Sequence, residues 1–364
     1  MLKCYVYNGN ITPNVNICQS PQEKNIDYTK MHTIIDAKDV TNVKLYTVIG
    51  KNTNPYENLA LENYLMQIVP EDSCILYLWQ NEPTVVIGRN QNPWKECRTS
   101  LLQENGVHLA RRYSGGGAVY HDLGNMNFTF VAKEICYDQD KNFAVIKNAC
   151  ERLGIQIELS GRNDLLANGF KFSGNAFLHQ NGAACHHGTL LINSDFSKLS
   201  DYLTPPKAKL QAKGITSVRS RVTNLKEISP DITVNKMRQA LLEAFDYVYC
   251  GNATPLPLSD NAQTTLDEKK KALSDPNWLY GNRIAMTYSV EDKFPWGYIC
   301  IDFQVISGRI EAAAVYTDSL DWTLSETIQK ALTGIPFQKA KMLNAIKNKI
   351  DDTILADISA LLNI

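Results

Sequence analysis

The sequence predicts an α+β protein of two domains behind a weakly structured leader. Three observations carry this expectation. Strand-like and helix-like stretches alternate from Val43 onward, a proline-containing stretch from Gly251 to Asp260 interrupts them, and a hairpin pattern followed by helices fills the remainder. The expected divisions are a leader over 1–42, a larger domain over 43–250 and an accessory domain over 251–364. A chain of 364 residues has room for both domains, at roughly 100–200 residues each.

The leader is rich in Asn and has few long apolar patterns. It lacks the charged start and apolar block of a secretory signal. The first arginine in the chain is Arg89, so it is also a poor mitochondrial transit peptide. Met31 is an alternative start, and Cys4-Tyr5-Val6-Tyr7 could equally open an added hairpin.

Val43 to Val48 is expected as a strand. Asn54-Pro55-Tyr56 should open a helix whose Leu59, Leu61, Tyr64, Leu65 and Ile68 fall near helical spacing before Pro70 ends it. Ile75 to Trp79 and Thr84 to Ile87 are buried-type strands joined by the turn Gln80-Asn81-Glu82-Pro83. The polar loop Gly88 to Asn92 stands at a strand end, where either a binding loop or a surface turn is expected. Leu101 to Asn105 is a short helix, and Val107 to Ala110 leads to the most informative stretch in the chain.

That stretch runs from Arg111 to Asn127 and contains Arg111, Arg112, Tyr113, Ser114 and then Gly115, Gly116, Gly117, Ala118 and Val119. Glycines without Cβ atoms let backbone N–H groups press against a ligand, and arginine forks suit carboxylate or phosphate oxygens. Strand-like residues, among them Phe128 to Val131, return the chain to a core. The spacing fits neither the dinucleotide fingerprint nor the Gly-Lys-Ser/Thr phosphate loop. A flexible turn is the alternative on these residues alone.

Phe143 to Leu153 is helical by spacing with Gly154 as its cap, and Gln156 to Leu159 is a strand. Asp164 follows at that strand's end, either a turn carboxylate or a partner for magnesium or a lysine. Lys171 alternates with Phe170 and Phe172, so it is either an ordinary exposed residue or a charge aimed into a cleft. His186 and His187 are adjacent on strand-like sequence and point to opposite faces, which suits one of them to a site and neither to joint metal ligation. Leu203 to Asn224 carries Lys207, Lys209, Lys213, Arg219 and Arg221, as a solvated cationic face or a flap over phosphates. Val234 to Phe245 is an amphipathic helix. Beyond the Gly251–Asp260 linker come a charged helix near Thr265 to Leu273, strands Trp296–Val305 and Arg309–Tyr316 about a Ser307-Gly308 turn, and helices over Leu324–Leu332, Ala340–Ile350 and Ile354–Leu362. This part shows no site-like cluster of side chains.

Bulk properties exclude several classes. A net charge of −1 gives no field for nucleic acid or an anionic membrane, and no apolar run is long enough for a transmembrane helix. The nine cysteines are scattered without a Cys-x-x-Cys pair, the pattern of a reducing compartment. The expectation is cytoplasm, with the mitochondrial matrix as the alternative.

Several motifs occur in one order: Arg111 to Asn125, Gly161-Arg162-Asn163-Asp164-Leu165, Lys171-Phe172-Ser173-Gly174-Asn175-Ala176, His187-Gly188-Thr189-Leu190-Leu191, Lys213 to Leu225, and Tyr316-Thr317-Asp318-Ser319-Leu320. Together they closely resemble the lipoate–protein ligase A family, from about Val43 to the C-terminus. The resemblance implies a biotin-ligase-like fold, a mixed β-sheet with flanking helices plus a small C-terminal α+β domain. It implies ATP-dependent activation of lipoate to lipoyl-AMP, with Mg2+, and transfer to a lysine of a carrier. The implied carriers are lipoyl domains of 2-oxoacid dehydrogenase acyltransferase subunits and the glycine-cleavage H protein, with no nucleic-acid or membrane partner.

By resemblance, Arg111, Ser114, Gly115, Gly116, Gly117, Ala118, Val119, Lys213 and Arg221 would hold ATP and the adenylate. Lys171 would bridge the lipoate carboxylate and the α-phosphate, Asp164 would hold Lys171 or magnesium, and Tyr113 and His187 would border the lipoate. Residues around Val85 to Ile87 and Phe172 would line the acyl slot. Tyr113 and Leu178 depart from the family pattern, where a small serine and a polar residue are usual, which bears on acyl preference. The rival readings are an ATP-independent octanoyl or lipoyl transferase using Cys185, and a non-catalytic carrier-binding protein.

Overall fold

The computed structural model describes residues 43–161, 163–204, 222–259, 262–281 and 284–362. The leader and most of the Leu203–Asn224 basic segment, including Lys213 and Arg221, lie outside the described residues. In chain order the strands are β1 (Lys44–Ile49), β2 (Ser73–Trp79), β3 (Thr84–Ile87), β4 (His108–Arg111), β5 (Val119–His121), β6 (Asn125–Lys133) and β7 (Glu158–Ser160). They continue with β8 (Asp164–Ala167), β9 (Phe170–Gln180), β10 (Ala183–Leu191), β11 (Thr254–Pro255), β12 (Tyr288–Phe294), β13 (Gly297–Ile306) and β14 (Arg309–Thr317).

A mixed eight-stranded sheet, ordered β11-β1-β2-β6-β10-β9-β8-β7, forms the platform. Only β11–β1 and β1–β2 run parallel; the pairs from β2 to β7 are antiparallel. Alternation in β2 and β6 explains why both faces are covered. Leu76, Leu78, Met126, Phe128 and Phe130 enter one core beneath the helices Gln139–Arg152 and Val234–Tyr249, while Ile75, Tyr77, Trp79 and Val131 enter a second beneath Pro55–Ile68. Phe128 and Phe130 are fully buried, each contributing on the order of 2–3 kcal/mol by apolar burial. Truncating Phe130 to Ala would cost about 3–5 kcal/mol.

Local chemistry sets the element ends. Asn54 accepts the N–H groups of Tyr56 and Glu57, and Pro55 occupies the first turn, where its missing N–H costs nothing. The helix expected over Phe143–Leu153 starts earlier, at Gln139, because Asp138 caps it by accepting the Lys141 N–H. Its first turn is polar and carries no apolar signal. Gly154, at φ +75°, ends it as expected.

A second small sheet, β4-β3-β5, carries the glycine loop between β4 and β5. The third, β12-β13-β14, is antiparallel and packs on helices Leu324–Leu332, Lys339–Ile346 and Asp352–Leu361 around Ile299, Ile301, Phe303 and Ile328. Ser307 and Gly308, both at positive φ, make the expected turn. Two features differ from the sequence expectation. β12 was not foreseen, because Glu291, Asp292 and Lys293 interrupt its apolar pattern and Val290 alone is buried. The Gly251–Asp260 stretch is no free tether: Thr254–Pro255 pairs in parallel with Tyr46–Thr47, and Leu256 donates its N–H to the Thr47 carbonyl. Among the described residues, no helix is long and apolar enough to cross a membrane.

Candidate active site

A half-open cleft, about 630 Å3 counting the solvent at its mouth, lies between the glycine loop and residues of β6, β9 and β10. One wall is backbone from Gly116 to Val119. Leu59, Trp79, Val86 and Ala176 supply apolar surface, and Lys171, Arg112, His187, Asn175 and Thr189 supply polar groups. Such mixtures orient a ligand with an apolar chain and a polar head.

Lys171 and Asp164 meet because β8 and β9 form a tight hairpin with a register shift at Leu165/Leu166. The ammonium Nζ lies 2.7 Å from Asp164 Oδ1. A Cβ on Gly174 would sit 3.1 Å from that Nζ, so glycine there leaves the lysine head its path across the strand. The chain emerging from the basic segment pairs at the same place, with Val222 bridged to Lys171 and the Thr223 N–H donating to the Lys171 carbonyl. Phe172 turns the other way, into the core under Gln139–Arg152. It does not line the slot assigned to it from sequence, and of Val85 to Ile87 only Val86 reaches the cleft.

Adjacent arginines divide by strand alternation. Arg112 enters the cleft wall and props the loop, donating to Ser114 Oγ and to the carbonyls of Gly115, Gly117 and Val86. Arg111 points away from the cleft. Its guanidinium donates to the carbonyls of Arg89 and Gln91 and to those of Trp278 and Leu279 in the connector helix Pro276–Tyr280. Burial brings both guanidinium groups down to about 10, which leaves them cationic at neutral pH. Tyr113 also faces the connector, its ring 5.0 Å from that of Trp278, and Leu178 is buried in the core under Pro55–Ile68. Neither lines the cleft.

Ser114 is buried behind the loop, its Oγ 2.7 Å from His187 Nε2, while His187 Nδ1 lies 2.8 Å from Glu62 Oε2. Thr129 donates to the same carboxylate oxygen and accepts the Trp79 indole N–H. Glu62 was missed in the sequence, although it sits three residues after Leu59 and three before Leu65 on the buried face of its helix, where an acid signals a buried partner. Cys185 lies within the same cluster, but burial pushes its thiol well above the usual range. A buried thiol held protonated is a poor acyl-accepting nucleophile, which disfavours the transferase reading. The partner histidine, His186, lies among phenylalanines on the opposite face.

The small domain also touches the loop. The Gly116 N–H donates to the Ser319 carbonyl, and a Cβ on Gly115 would lie 2.3 Å from that oxygen. Thr317 donates to Asn90, and Asn90 donates to Trp322. The Tyr316–Leu320 motif therefore belongs to the loop's surroundings, which accounts for its place among the motifs of the resemblance.

An apolar slot, a lysine and a backbone cradle in one cleft suit the class of enzyme that activates a carboxylate. Comparison with known proteins narrows the class. Residues 54–246 match the lipoyl protein ligase A/B catalytic domain, and residues 283–361 match the bacterial lipoate protein ligase C-terminus. The chain belongs to the lipoate–protein ligase A family. It is 41% identical over 318 residues to lipoate-protein ligase A of Psychrobacter cryohalolentis, covering 85% of this chain and 93% of the relative. It is 41% identical over 298 residues to that of Bdellovibrio bacteriovorus, covering 80% and 88%. P. falciparum LipL1, solved in complex with lipoate, aligns with a TM-score of 0.77 at 30% identity over 87% of this chain and 98% of that one. A lipoate-protein ligase A solved with bound ATP aligns at 0.56 and 26% identity over 66% and 98%.

Proposed function

We propose that the cleft activates lipoate at Lys171 and passes the lipoyl group to a carrier lysine. As a lipoate–protein ligase A family member, the chain is a ligase that uses ATP and lipoate. In the first step a lipoate carboxylate oxygen attacks the α-phosphorus, the α–β bridging bond breaks, and pyrophosphate leaves. In the second, a carrier lysine amine attacks the acyl carbonyl, AMP departs with the bonding pair, and the amide nitrogen sheds its proton. Both steps build negative charge on oxygen, which fixed donors stabilise. The observation that carries the reading is Lys171, paired with Asp164 and lining the same cleft as the glycine loop.

In this scheme Lys171 bridges carboxylate and α-phosphate, and the backbone of Gly116, Gly117, Ala118 and Val119 holds the nucleotide. Arg112 keeps the loop in shape, a nearer role than that of Arg111. Lys213 and Arg221 would cover the adenylate. Mg2+ would enter as the counter-ion of ATP, held mainly by its phosphates. Asp164 Oδ1 is already engaged by an ammonium, so that carboxylate alone is a thin protein site for the ion. The carriers are lipoyl domains of 2-oxoacid dehydrogenase acyltransferase subunits and the glycine-cleavage H protein, and the compartment is the cytoplasm. The division between catalytic and accessory domains, expected at residue 250, moves to just after the helix Pro276–Tyr280, because Thr254–Pro255 and that helix pack with the larger domain. A Thermoplasma acidophilum bi-partite ligase described with its E2 lipoyl domain, 26% identical over 68% of this chain, supports lipoyl domains as carriers.

The test is lipoate-dependent pyrophosphate release with magnesium and ATP, followed by mass analysis of an added apo lipoyl domain. Release and a lipoyl mass gain are expected. Acylation of the carrier from an acyl-carrier donor without ATP would replace this reading with a transferase.

A further inference from the structure

His121 and Asn127 stand at the end of the glycine-loop stretch and line the cleft, yet none of the roles above uses them. Both are almost fully buried. His121 Nε2 and Asn127 Nδ2 have no hydrogen-bond partner among the described residues. An unmade buried N–H costs about 1–3 kcal/mol, and in a ligand cleft the ligand is the natural source of the missing acceptor.

The tautomer of His121 follows from a chain of contacts that begins at a backbone carbonyl. Asn58 Nδ2 donates to the Gln80 carbonyl at 2.8 Å, which fixes that amide's orientation, and its Oδ1 accepts the Tyr77 hydroxyl. The same Nδ2 reaches Asn81 Oδ1 at 2.9 Å, so the Asn81 amide nitrogen is the atom that faces His121 Nδ1, at 3.1 Å. A donor there demands a lone pair on Nδ1. The single proton of a neutral imidazole is then on Nε2. Burial, with Arg112 and His187 nearby, pulls the ring down to about 3, so it stays neutral at physiological pH. Trp79, edge-on at 6.1 Å, packs against the ring.

We propose that His121 is a ligand-binding residue, donating from Nε2 to an oxygen of the bound acid or of its acyl phosphate. The inference rests on the ligase reading for the identity of the ligand, but not for the tautomer. Asn127, whose side-chain amide pairs with Asn125 through one polar atom and keeps the other free, is a second hydrogen-bonding group on the same wall. Both groups are neutral. They recognise oxygen by direction without adding to the charge that Lys171 and Arg112 already place at the cleft.

The test uses the full chain. Nitrogen NMR on 15N-histidine-labelled protein should find His121 protonated on Nε2 and bare on Nδ1 from pH 5 to 8. Titrations use lipoate alone, a non-hydrolysable ATP analogue alone, and a sulfamate analogue of lipoyl-AMP. A shift of the Nε2 signal with lipoate assigns the carboxylate; a shift with the nucleotide assigns the phosphoryl group. His121→Leu should weaken binding of the sulfamate by about tenfold to a hundredfold, whereas His121→Gln, which restores an N–H near the Nε2 position, should stay within a few fold. An Nδ1–H tautomer in the wild type, or an Nε2 signal that no probe moves, overturns the proposal even if His121→Leu does not fold. Wild-type protein that releases no pyrophosphate would instead defeat the ligase reading, while leaving the tautomer measurement intact.

Discussion

The Gly116 N–H donates to the Ser319 carbonyl oxygen at 3.0 Å, which ties the glycine loop of the larger domain to the small domain. The fit is close, because Gly115 beside it would place a Cβ 2.3 Å from the Ser319 oxygen and 2.8 Å from that of Leu320. Gly115→Ala must therefore push the small domain's backbone away from the loop. The expected cost is about 1–3 kcal/mol, measured by urea denaturation. A variant as stable as the wild type would mean that the contact is not made in solution.

Lys171 and Asp164 are each more than a third exposed, at 35% and 38% of the side chain. An ion pair of that kind contributes under about 1 kcal/mol to folding, so its value is positional. Asp164→Asn should melt close to the wild type. Pyrophosphate release should nevertheless fall by roughly tenfold to a hundredfold as the ammonium loses its fixed position. Lys171→Ala should lose roughly a hundredfold to a thousandfold. If Asp164→Asn unfolds the protein while Lys171→Ala stays active, the assignment of roles is reversed.

Much of this arrangement was legible in the sequence, and what was not has identifiable causes. Asn54-Pro55 and Pro70 bounded a helix because capping is local. β2 and β3 were visible as unbroken buried runs. Strand order was not visible, since the pairing of Lys171 with Val222 or of Thr254 with Tyr46 joins distant segments. The glycine loop and Lys171 stood out as motifs, but the phase of the alternation through Arg111-Arg112-Tyr113 depends on the β3–β4 pairing. Glu62, His121 and Asn127 gain their meaning from burial, for which a sequence offers only a polar residue at an apolar position.

The resemblance placed Tyr113 where the best-known members have a small serine, and so suggested an altered acyl preference. Its ring instead packs on Trp278 of the connector, which also donates its indole N–H to the Arg111 carbonyl. Tyr113→Ser should cost about 0.5–1.5 kcal/mol through the lost ring pair. The ratio of kcat/KM for lipoate over octanoate should remain within twofold or so, since the side chain does not line the cleft. A large change in that ratio would return Tyr113 to the acyl site.

His186 makes stability depend on acid. Its ring lies 4.7 Å from Phe143 and 4.8 Å from Phe177, Nε2 meets Asn175 Oδ1 at 2.9 Å, and Nδ1 has no partner among the described residues. Burial, with His187 beside it, lowers the ring to about 3 from an ordinary value of 6.5. The unfolded chain therefore binds a proton that the folded chain refuses. Stability is fully present above pH 6.5 and is lost as pH falls toward 3. At pH 5 the loss from this one group is about 2 kcal/mol, and His121, lowered likewise, adds a similar amount. His186→Leu leaves Asn175 Oδ1 without its partner and so lowers stability at neutral pH. It should also flatten the fall between pH 6.5 and 4 by about half, as two such groups become one. Denaturation curves at a series of pH values separate the two effects, because the first moves the whole profile and the second changes its slope. An unchanged slope in His186→Leu would show that the ring is already protonated in the folded chain, with an anion or water reaching Nδ1.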